Sequence, residues 1–182
     1  MDHLDRAQLD AALDHIRASP TDGGTLELIV QRPAEDERVV LEEGELSLED
    51  GLVGDTWNQR GSRRTEDGGP HPDMQLNIMN ARVLRHIAQD PARMPLAGDQ
   101  LIVDLDLSGA GLPAWTELAI GAAVIEVTDQ PHTGCAKFSR RFGVEAHRWV
   151  NSEVGRELNL RGINARVVTP GTIRQGDTIR RL

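Results

Sequence analysis

The sequence predicts one domain, residues 1–182, that is mainly β with a few helices and folds as an antiparallel, barrel-like sheet. A length of 182 residues suits a single domain with a real hydrophobic core. Helical and extended patterns occur in the order helix, strands, helix, strands, helix, strands. Consecutive strands are joined by short turns that contain Gly or Pro, and no helix follows each strand in a regular way. This arrangement favours an antiparallel barrel with helices at its ends over a doubly wound parallel sheet.

Three helices are predicted from apolar residues that recur at helical spacing. Residues 2–18 form the first, and residues 1–20 are interpreted as a helical appendage to the domain. Residues 73–89 form the second, with Asp73 as its N-cap and Asn77 at the edge of its apolar stripe. Residues 137–151 form the third, because Phe138, Phe142 and Ala146 share one face.

The strands are predicted from alternation of apolar and polar residues and from β-branched residues. Residues 117–128 read as a buried strand or as a hairpin bent at Gly121, and residues 173–179 as a final pair of short strands. A turn or bulge is expected within residues 43–45. The other extended segments are residues 25–31, 38–48, 101–107 and 161–169.

Composition and charge exclude several classes of protein. The net charge is −9 and the chain has no Tyr and only two Phe, so neither a phosphate backbone nor stacked bases are expected as a partner. No apolar run reaches the length of a membrane span, and no secretory signal pattern is visible. We therefore expect a cytoplasmic protein that binds neither nucleic acid nor a membrane.

The segment from residue 129 to residue 142 carries the strongest chemical signal. It holds the only Cys, Cys135, and the only Lys, Lys137, among 20 basic residues. Cys135 is predicted to lie after a buried strand and at the start of a helix, a position that favours the thiolate form. His132 is close enough in sequence to assist proton transfer, and Gly134 allows the backbone to approach a ligand.

A thiolate beside cations has several uses, and the residues alone leave them open. Cys135 could be a nucleophile or sulfur carrier, or a soft ligand for a metal held mostly by a phosphorylated cofactor. A helix N-terminus with nearby cations also suits a phosphate group. Cys135 to Arg141 matches the C-x5-R pattern of thiol phosphatases, although the residues between them include no Gly. A binding module without catalysis and a buried inert Cys are the remaining alternatives.

Several short motifs, taken in order, resemble the MOSC domain, a family named from the C-terminal part of molybdenum cofactor sulfurase. The resemblance covers residue 25 to the C-terminus and is greatest to small stand-alone bacterial members. The matching motifs are residues 51–55 (GLVGD), 73–77 (DMQLN), 118–121 (LAIG), 131–138 (PHTGCAKF), 161–167 (RGINARV) and 176–177 (GD). One departure is the sequence GDTW at residues 54–57, where many members carry a basic residue.

The resemblance implies a β-rich barrel and a role with molybdenum cofactor (molybdopterin). Cys135 takes the position of the family's thiol, which either carries sulfur or binds molybdenum in a small reductase of N-hydroxylated compounds. Pyridoxal phosphate is not expected in this chain, so a separate redox partner or sulfurtransferase would act with it on a small-molecule substrate.

Further site residues follow from charge and proximity. Lys137, Arg141 and Arg161 are assigned to the pterin phosphate. The remaining predicted cofactor contacts are Thr133, Gly134, Asp55 and Asn77. Asp55 is placed by a tight turn between two Gly residues, for which an ordinary capping role is the alternative.

Overall fold

A closed barrel of seven strands forms the body of the protein in the computed structural model, which describes residues 3–62 and 64–182. The strands are β1 (Gly24–Gln31), β2 (Val39–Leu41), β3 (Glu43–Ser47), β4 (Gly51–Leu52), β5 (Leu76–Asn80), β6 (Leu101–Asp104), β7 (Glu117–Ile120), β8 (Ala123–Val127), β9 (Ile163–Thr169), β10 (Gly171–Arg174) and β11 (Thr178–Arg181). The helices are α1 (Arg6–Asp10), α2 (Leu13–Arg17), α3 (Ala81–Ala88), α4 (Ala136–Phe142), α5 (Val144–Val150) and α6 (Glu153–Glu157). Three 3-10 helices span Trp57–Gln59, Pro72–Met74 and Pro91–Ala97.

The barrel runs in the order β11-β7-β8-β9-β5-β6-β1 and closes where Gly24 of β1 pairs with Ile179 of β11. Its pairs are antiparallel except for β5 and β6, which are parallel and are joined by a crossover through α3. β2 extends the sheet from the other half of β1, and β10, β3 and β4 form a separate three-stranded sheet. The predicted mainly β, barrel-like fold is therefore confirmed, with one parallel pair that the sequence pattern did not indicate.

Alternation along the strands divides the apolar residues into two cores. Side chains such as Leu26, Ile78 and Ile125 belong to one buried cluster formed almost entirely by strands, which is the barrel interior. Met79 and Ile102 belong to a second cluster that includes buried residues of the helices. The helices thus cover the outside of the barrel at β5 and β6, so that these strands are buried on both faces.

The prediction of one helix over residues 73–89 is wrong in its first half. Leu76–Asn80 is strand β5, and the helix begins only at Ala81, with Asn80 as its N-cap in place of Asp73. The apolar spacing resembled that of a helix because the strand is buried on both faces. Leu76 and Ile78 belong to the barrel interior, and Met79 belongs to the outer core. Such a strand has no alternation to reveal it.

Other boundaries also differ from the sequence prediction. The helix expected over residues 137–151 is interrupted at Gly143. Its φ is 96°, a positive value that glycine adopts without the steric cost that other residues meet. The first helix is two short helices, and residue 2 of the predicted range lies outside the described residues. β10 and β11 do not pair with each other, since β10 pairs with β3 and β11 with β7 and β1. The break predicted at residues 43–45 falls at Glu42 instead.

Candidate functional site

Cys135 lies in the loop between β8 and α4, as the sequence predicts. It is the N-cap residue of α4, its side chain makes no capping hydrogen bond, and it is exposed. The thiol is therefore open to solvent and to an approaching molecule.

Gly134 fixes this loop against α5. Its N–H donates to Asn151 Oδ1 (3.0 Å), and its carbonyl oxygen lies 3.0 Å from His147 Nε2. A Cβ at this position would approach Asn151 Nδ2 to 2.9 Å. The small size of Gly134 thus serves close packing behind Cys135, which is a structural role beside the ligand contact predicted for it.

An acidic loop, residues 33–38, faces two of the three cations of α4. Lys137 Nζ lies 2.6 Å from Glu35 Oε1, and Arg141 Nη2 lies 2.6 Å from Asp36 Oδ1. Arg141 also donates to the carbonyl oxygen of Leu96 (2.8 Å). Lys137 and Arg141, two of the three residues assigned to a phosphate, therefore already have carboxylate partners, which an anionic ligand would have to displace.

A cavity of about 680 Å³ opens between this loop and Lys137. We call it the cation cavity; its lining is Pro33, Ala34, Glu35, Asp36, Arg38, Thr56, Gln59, Arg60 and Lys137. Burial lowers the pKa of both Arg38 and Arg60, and neighbouring guanidinium groups lower it further. Arg38 Nε is buried and has no hydrogen-bond partner. Positive charge in this cavity is therefore incompletely balanced.

Asp55 and Asn77 belong to a buried network centred on Arg32. Arg32 donates to both carboxylate oxygens of Asp55 (2.7 Å each) and to Asn77 Oδ1 (3.0 Å). Asn77 Nδ2 in turn donates to Asn164 Oδ1 (2.7 Å). Asp55 is almost completely buried, whereas Arg32 and Asn77 line a small cavity of about 190 Å³ that shares Arg60 with the cation cavity. The network ties β1, β5 and β9 together beneath these cavities.

Arg161 is buried in a second network. Its Nη1 lies 2.8 Å from both oxygens of Asp99, and its guanidinium stacks over Phe138, 4.9 Å from the ring centroid. Asp99 is fully buried and also lies 3.5 Å from His132 Nδ1, too far for a sound hydrogen bond. Arg161 thus positions α4 through Phe138, and a phosphate would compete there with Asp99.

His132 is neutral at physiological pH. Burial, the largest cause, and the charge of Arg161 lower its pKa to about 3, while Asp99 acts in the opposite direction. Such an imidazole holds a proton poorly, so it suits hydrogen bonding in the neutral form better than proton transfer near neutral pH. Thr133, next to it, is exposed.

The structure brings only part of the predicted site together. Lys137 and Arg141 meet the acidic loop from the helix that Cys135 begins, whereas Asp55, Asn77 and Arg161 lie in buried networks. The sequence analysis missed Arg32, Arg38, Arg60 and Asp99. Two of these residues stand beside a strand end. Arg32 directly precedes Pro33 and Asp99 directly follows Gly98, so both were interpreted as turn residues and not as buried charges.

The C-x5-R pattern does not form a phosphate loop. The residues between Cys135 and Arg141 are the helix α4, so their amides point along one axis and do not surround an anion. Within residues 3–62 and 64–182 no cluster of three His, Cys, Asp or Glu side chains is arranged to hold a metal. Cys135 could therefore supply one ligand to a metal that brings its other ligands with it.

The closed barrel and the exposed thiol at the start of α4 define the class: a small β-barrel protein with a single, exposed cysteine. The chain belongs to the MOSC domain family, whose model matches residues 67–180. No curated protein is similar enough in sequence to count as a relative.

Solved structures share the fold at low sequence identity. The chain is similar to YuaD from Bacillus subtilis, with 16% identity and a TM-score of 0.59 over 86% of this chain and 93% of that one. It is also similar to YiiM from Escherichia coli, with 20% identity and a TM-score of 0.56 over 87% and 69% of the two chains. YiiM from Geobacillus stearothermophilus matches at 12% identity and a TM-score of 0.57, over 87% and 75% of the chains. Identities this low establish the barrel and not the activity.

Among the described residues, no helix combines the length and apolarity needed to cross a membrane.

Proposed function

We propose that this protein binds molybdenum cofactor, with the phosphate of the pterin in the cation cavity and the Cys135 thiolate directed to the metal. In this role it handles sulfur or serves as the small oxidoreductase component acting on N-hydroxylated compounds. The observation that carries the proposal is the incompletely balanced charge of Arg38 and Arg60 in a cavity bordered by Lys137, two residues from the exposed Cys135.

The residues of the cavity suit a phosphate group. Leaving a buried donor such as Arg38 Nε without a partner is costly, and a phosphate oxygen would supply the acceptor. The mutual repulsion of Arg38, Arg60 and Arg32 is relieved by an anion, and Lys137 adds a further cation. A phosphate brings three acceptor oxygens and forms strong charge-assisted hydrogen bonds with guanidinium groups. The association of the MOSC family with molybdenum cofactor supports the same ligand.

Molybdenum in this cofactor supplies two-electron redox chemistry. The protein's own residues would bind and orient the cofactor. Arg38 and Arg60 would hold its phosphate, and Cys135 would offer a soft sulfur ligand to the metal. Because Cys135 is exposed, a separate redox partner or sulfurtransferase could reach it.

The test is metal and pterin content after expression in a host that makes the cofactor. Wild-type protein is expected to retain molybdenum and pterin in equal amounts. Arg38→Gln with Arg60→Gln should reduce both about tenfold or more, whereas Arg148→Gln, a surface Arg paired with Glu145 outside the cavity, should leave both unchanged. Wild-type protein that retains neither metal nor pterin would falsify the proposal.

Cys135→Ser and native mass spectrometry distinguish two roles of the Cys135 sulfur, metal binding and persulfide carriage. If the thiolate binds molybdenum, Cys135→Ser should lose metal, while a persulfide carrier should instead show the mass of one extra sulfur on wild-type Cys135. Cofactor retained by wild-type protein without reduction of N-hydroxylated compounds by any electron donor would favour a non-catalytic binding module.

A further inference from the structure

A second cavity, of about 350 Å³, borders the Cys135 loop at Thr133. We call it the Thr133 cavity. The cation cavity reaches Lys137 in the first turn of α4, four residues further on, and among the described residues the two cavities share no lining residue. The volume of the Thr133 cavity lies at the lower end of the range for small-molecule sites, about 300–1,000 Å³.

The charge of the Thr133 cavity is positive. Arg156, from α6, lines it and makes no side-chain hydrogen bond or ion pair with the residues that the structure describes. Arg161 also lines it, with Nε buried and without a partner, although its Nη1 is paired with Asp99. Within the described part of the chain, no carboxylate lines the cavity. An anionic group would therefore find in Arg156 a guanidinium that needs no other partner to be displaced.

His132 presents an acceptor to the same space. Its Nδ1 is buried on the side of Asp99, which favours the tautomer with the proton on that nitrogen. Nε2 has no partner among the described residues and is not one of the buried orphan atoms, so it is the ring nitrogen with exposed surface in a side chain that lines the cavity. The low pKa of the ring, about 3, keeps the lone pair of Nε2 free near neutral pH.

Asn159 adds a second acceptor. Its Nδ2 donates to the carbonyl oxygen of Leu107 (2.8 Å), which leaves Oδ1 available. The backbone of Asn159 has a φ of +48°, a left-handed conformation that Asn tolerates better than most residues. With His132 it also lines an adjoining cavity of about 370 Å³, so the space around the imidazole extends beyond one small pocket.

We propose that the Thr133 cavity binds a small organic anion that carries an O–H or N–H donor, with Arg156 on the anionic group and His132 Nε2 accepting from the donor. The site is distinct from the cation cavity and does not depend on molybdenum cofactor. A bound ligand lies against residues two and three positions before Cys135, whereas the cation cavity borders Lys137, two positions after it.

The donor and the anion are tested separately with three probes: 4-hydroxybenzoate, benzoate and phenol. Protein prepared without molybdenum cofactor is titrated at neutral pH, with binding measured by calorimetry and the His132 ring nitrogens followed by 15N NMR. We expect 4-hydroxybenzoate to bind most tightly and to shift the Nε2 signal, benzoate to bind about tenfold more weakly without that shift, and phenol to bind weakest.

Two variants assign the contacts. Arg156→Gln, at an exposed position, should weaken both carboxylates about tenfold and leave phenol unchanged. His132→Asn keeps a donor toward Asp99 but removes Nε2, so it should abolish the preference for 4-hydroxybenzoate over benzoate. Arg140→Gln is the matched control, because Arg140 is exposed and lines neither cavity.

The proposal is overturned if no probe perturbs His132, or if 4-hydroxybenzoate binds equally to wild-type protein and Arg156→Gln. Equal weakening by Arg140→Gln would also overturn it, since the effect would then be general surface charge. If His132→Asn fails to fold, Arg156→Gln still decides the question. Because no cofactor is present, failure here is distinguishable from loss of molybdenum in the test of the proposed function.

Discussion

Asp55 and Arg32 form an ion pair in which both side chains are almost completely buried. Two hydrogen bonds of 2.7 Å join the groups, and the backbone N–H groups of Arg32 and Trp57 also donate to Asp55. A buried charge that loses its partner is costly, because neither water nor another charge replaces it. A structural role for Asp55 predicts that its substitution destabilises the fold. A cofactor contact predicts that the substitution removes cofactor binding.

Asp55→Asn should lower the free energy of unfolding by about 3–5 kcal/mol, because the guanidinium of Arg32 remains buried without its carboxylate. The measurement is urea denaturation. Asp14→Asn is the control, since the exposed Asp14 lies 3.7 Å from Arg17 and should change stability by less than about 0.5 kcal/mol. A variant as stable as wild type that no longer retains molybdenum would contradict the structural role and support the cofactor contact assigned to Asp55.

His132 should make stability depend on pH. Its pKa is about 3 in the folded protein and 6.5 in the unfolded chain, so the unfolded chain binds the extra proton between these values. Stability therefore rises with pH up to about 6.5, and between about pH 7.5 and about pH 5 this group should remove about 2 kcal/mol of it. The charges that act on the ring are Arg161, Asp99 and Arg32.

The measurement compares urea unfolding of wild type and His132→Asn at both pH values. The two proteins share their other titrating groups, so the difference in their pH dependence isolates His132. Equal pH dependence in both proteins would show that His132 is not held neutral by burial.

At the scale of elements, the acidic loop at residues 33–38 competes with any anionic ligand of the cation cavity. Glu35 is paired with Lys137 and is highly exposed, and Asp36 adopts a φ of 59° while it pairs with Arg141. A left-handed conformation is uncommon for residues other than Gly, although Asp tolerates it. The loop thus keeps two cations neutralised until a ligand replaces its carboxylates.

Glu35→Gln should strengthen binding of inorganic phosphate about threefold, because an exposed ion pair contributes at most about 1 kcal/mol. Isothermal calorimetry measures the effect. Glu43→Gln, which removes an exposed carboxylate paired with Arg174 elsewhere, should have no effect on phosphate. Weaker or unchanged binding by Glu35→Gln would show that the loop does not compete for Lys137.

Local signals indicated those elements whose residue patterns fit only one or two structures. The β7–β8 hairpin alternates and turns at Gly121, with a φ of 55°, and the strand–loop–helix arrangement around Cys135 follows from the sequence. Residues 76–80 failed because their apolar side chains serve two cores on opposite faces of a strand. The pairing of Arg32 with Asp55, or of Arg161 with Asp99, could not be predicted because partners 23 and 62 residues apart leave no local pattern.

At the scale of the whole molecule, the first helices complete the outer core. Leu9 and Ile16 are buried in the cluster that contains Met79 and Trp149. Trp149 Nε1 donates to Asp10 Oδ1 (2.9 Å), which joins α1 to α5. Since α5 also holds Gly134 through Asn151, the packing of α1 continues to the loop that carries Cys135. An appendage would instead unfold by itself at little cost.

Leu9→Ala tests whether the first helices are part of the outer core or a separate appendage. Leu9 has no exposed surface, so its truncation should cost about 2–5 kcal/mol and shift the single unfolding transition of the whole domain. Leu48→Ala is the matched control, because Leu48 is 62% exposed and its truncation should cost less than about 0.5 kcal/mol. Far-ultraviolet circular dichroism and Trp fluorescence should report the same midpoint for each protein if the two cores unfold together. A separate early transition in Leu9→Ala, with the main midpoint unchanged, would mean that the first helices fold independently of the barrel and do not support the Cys135 loop.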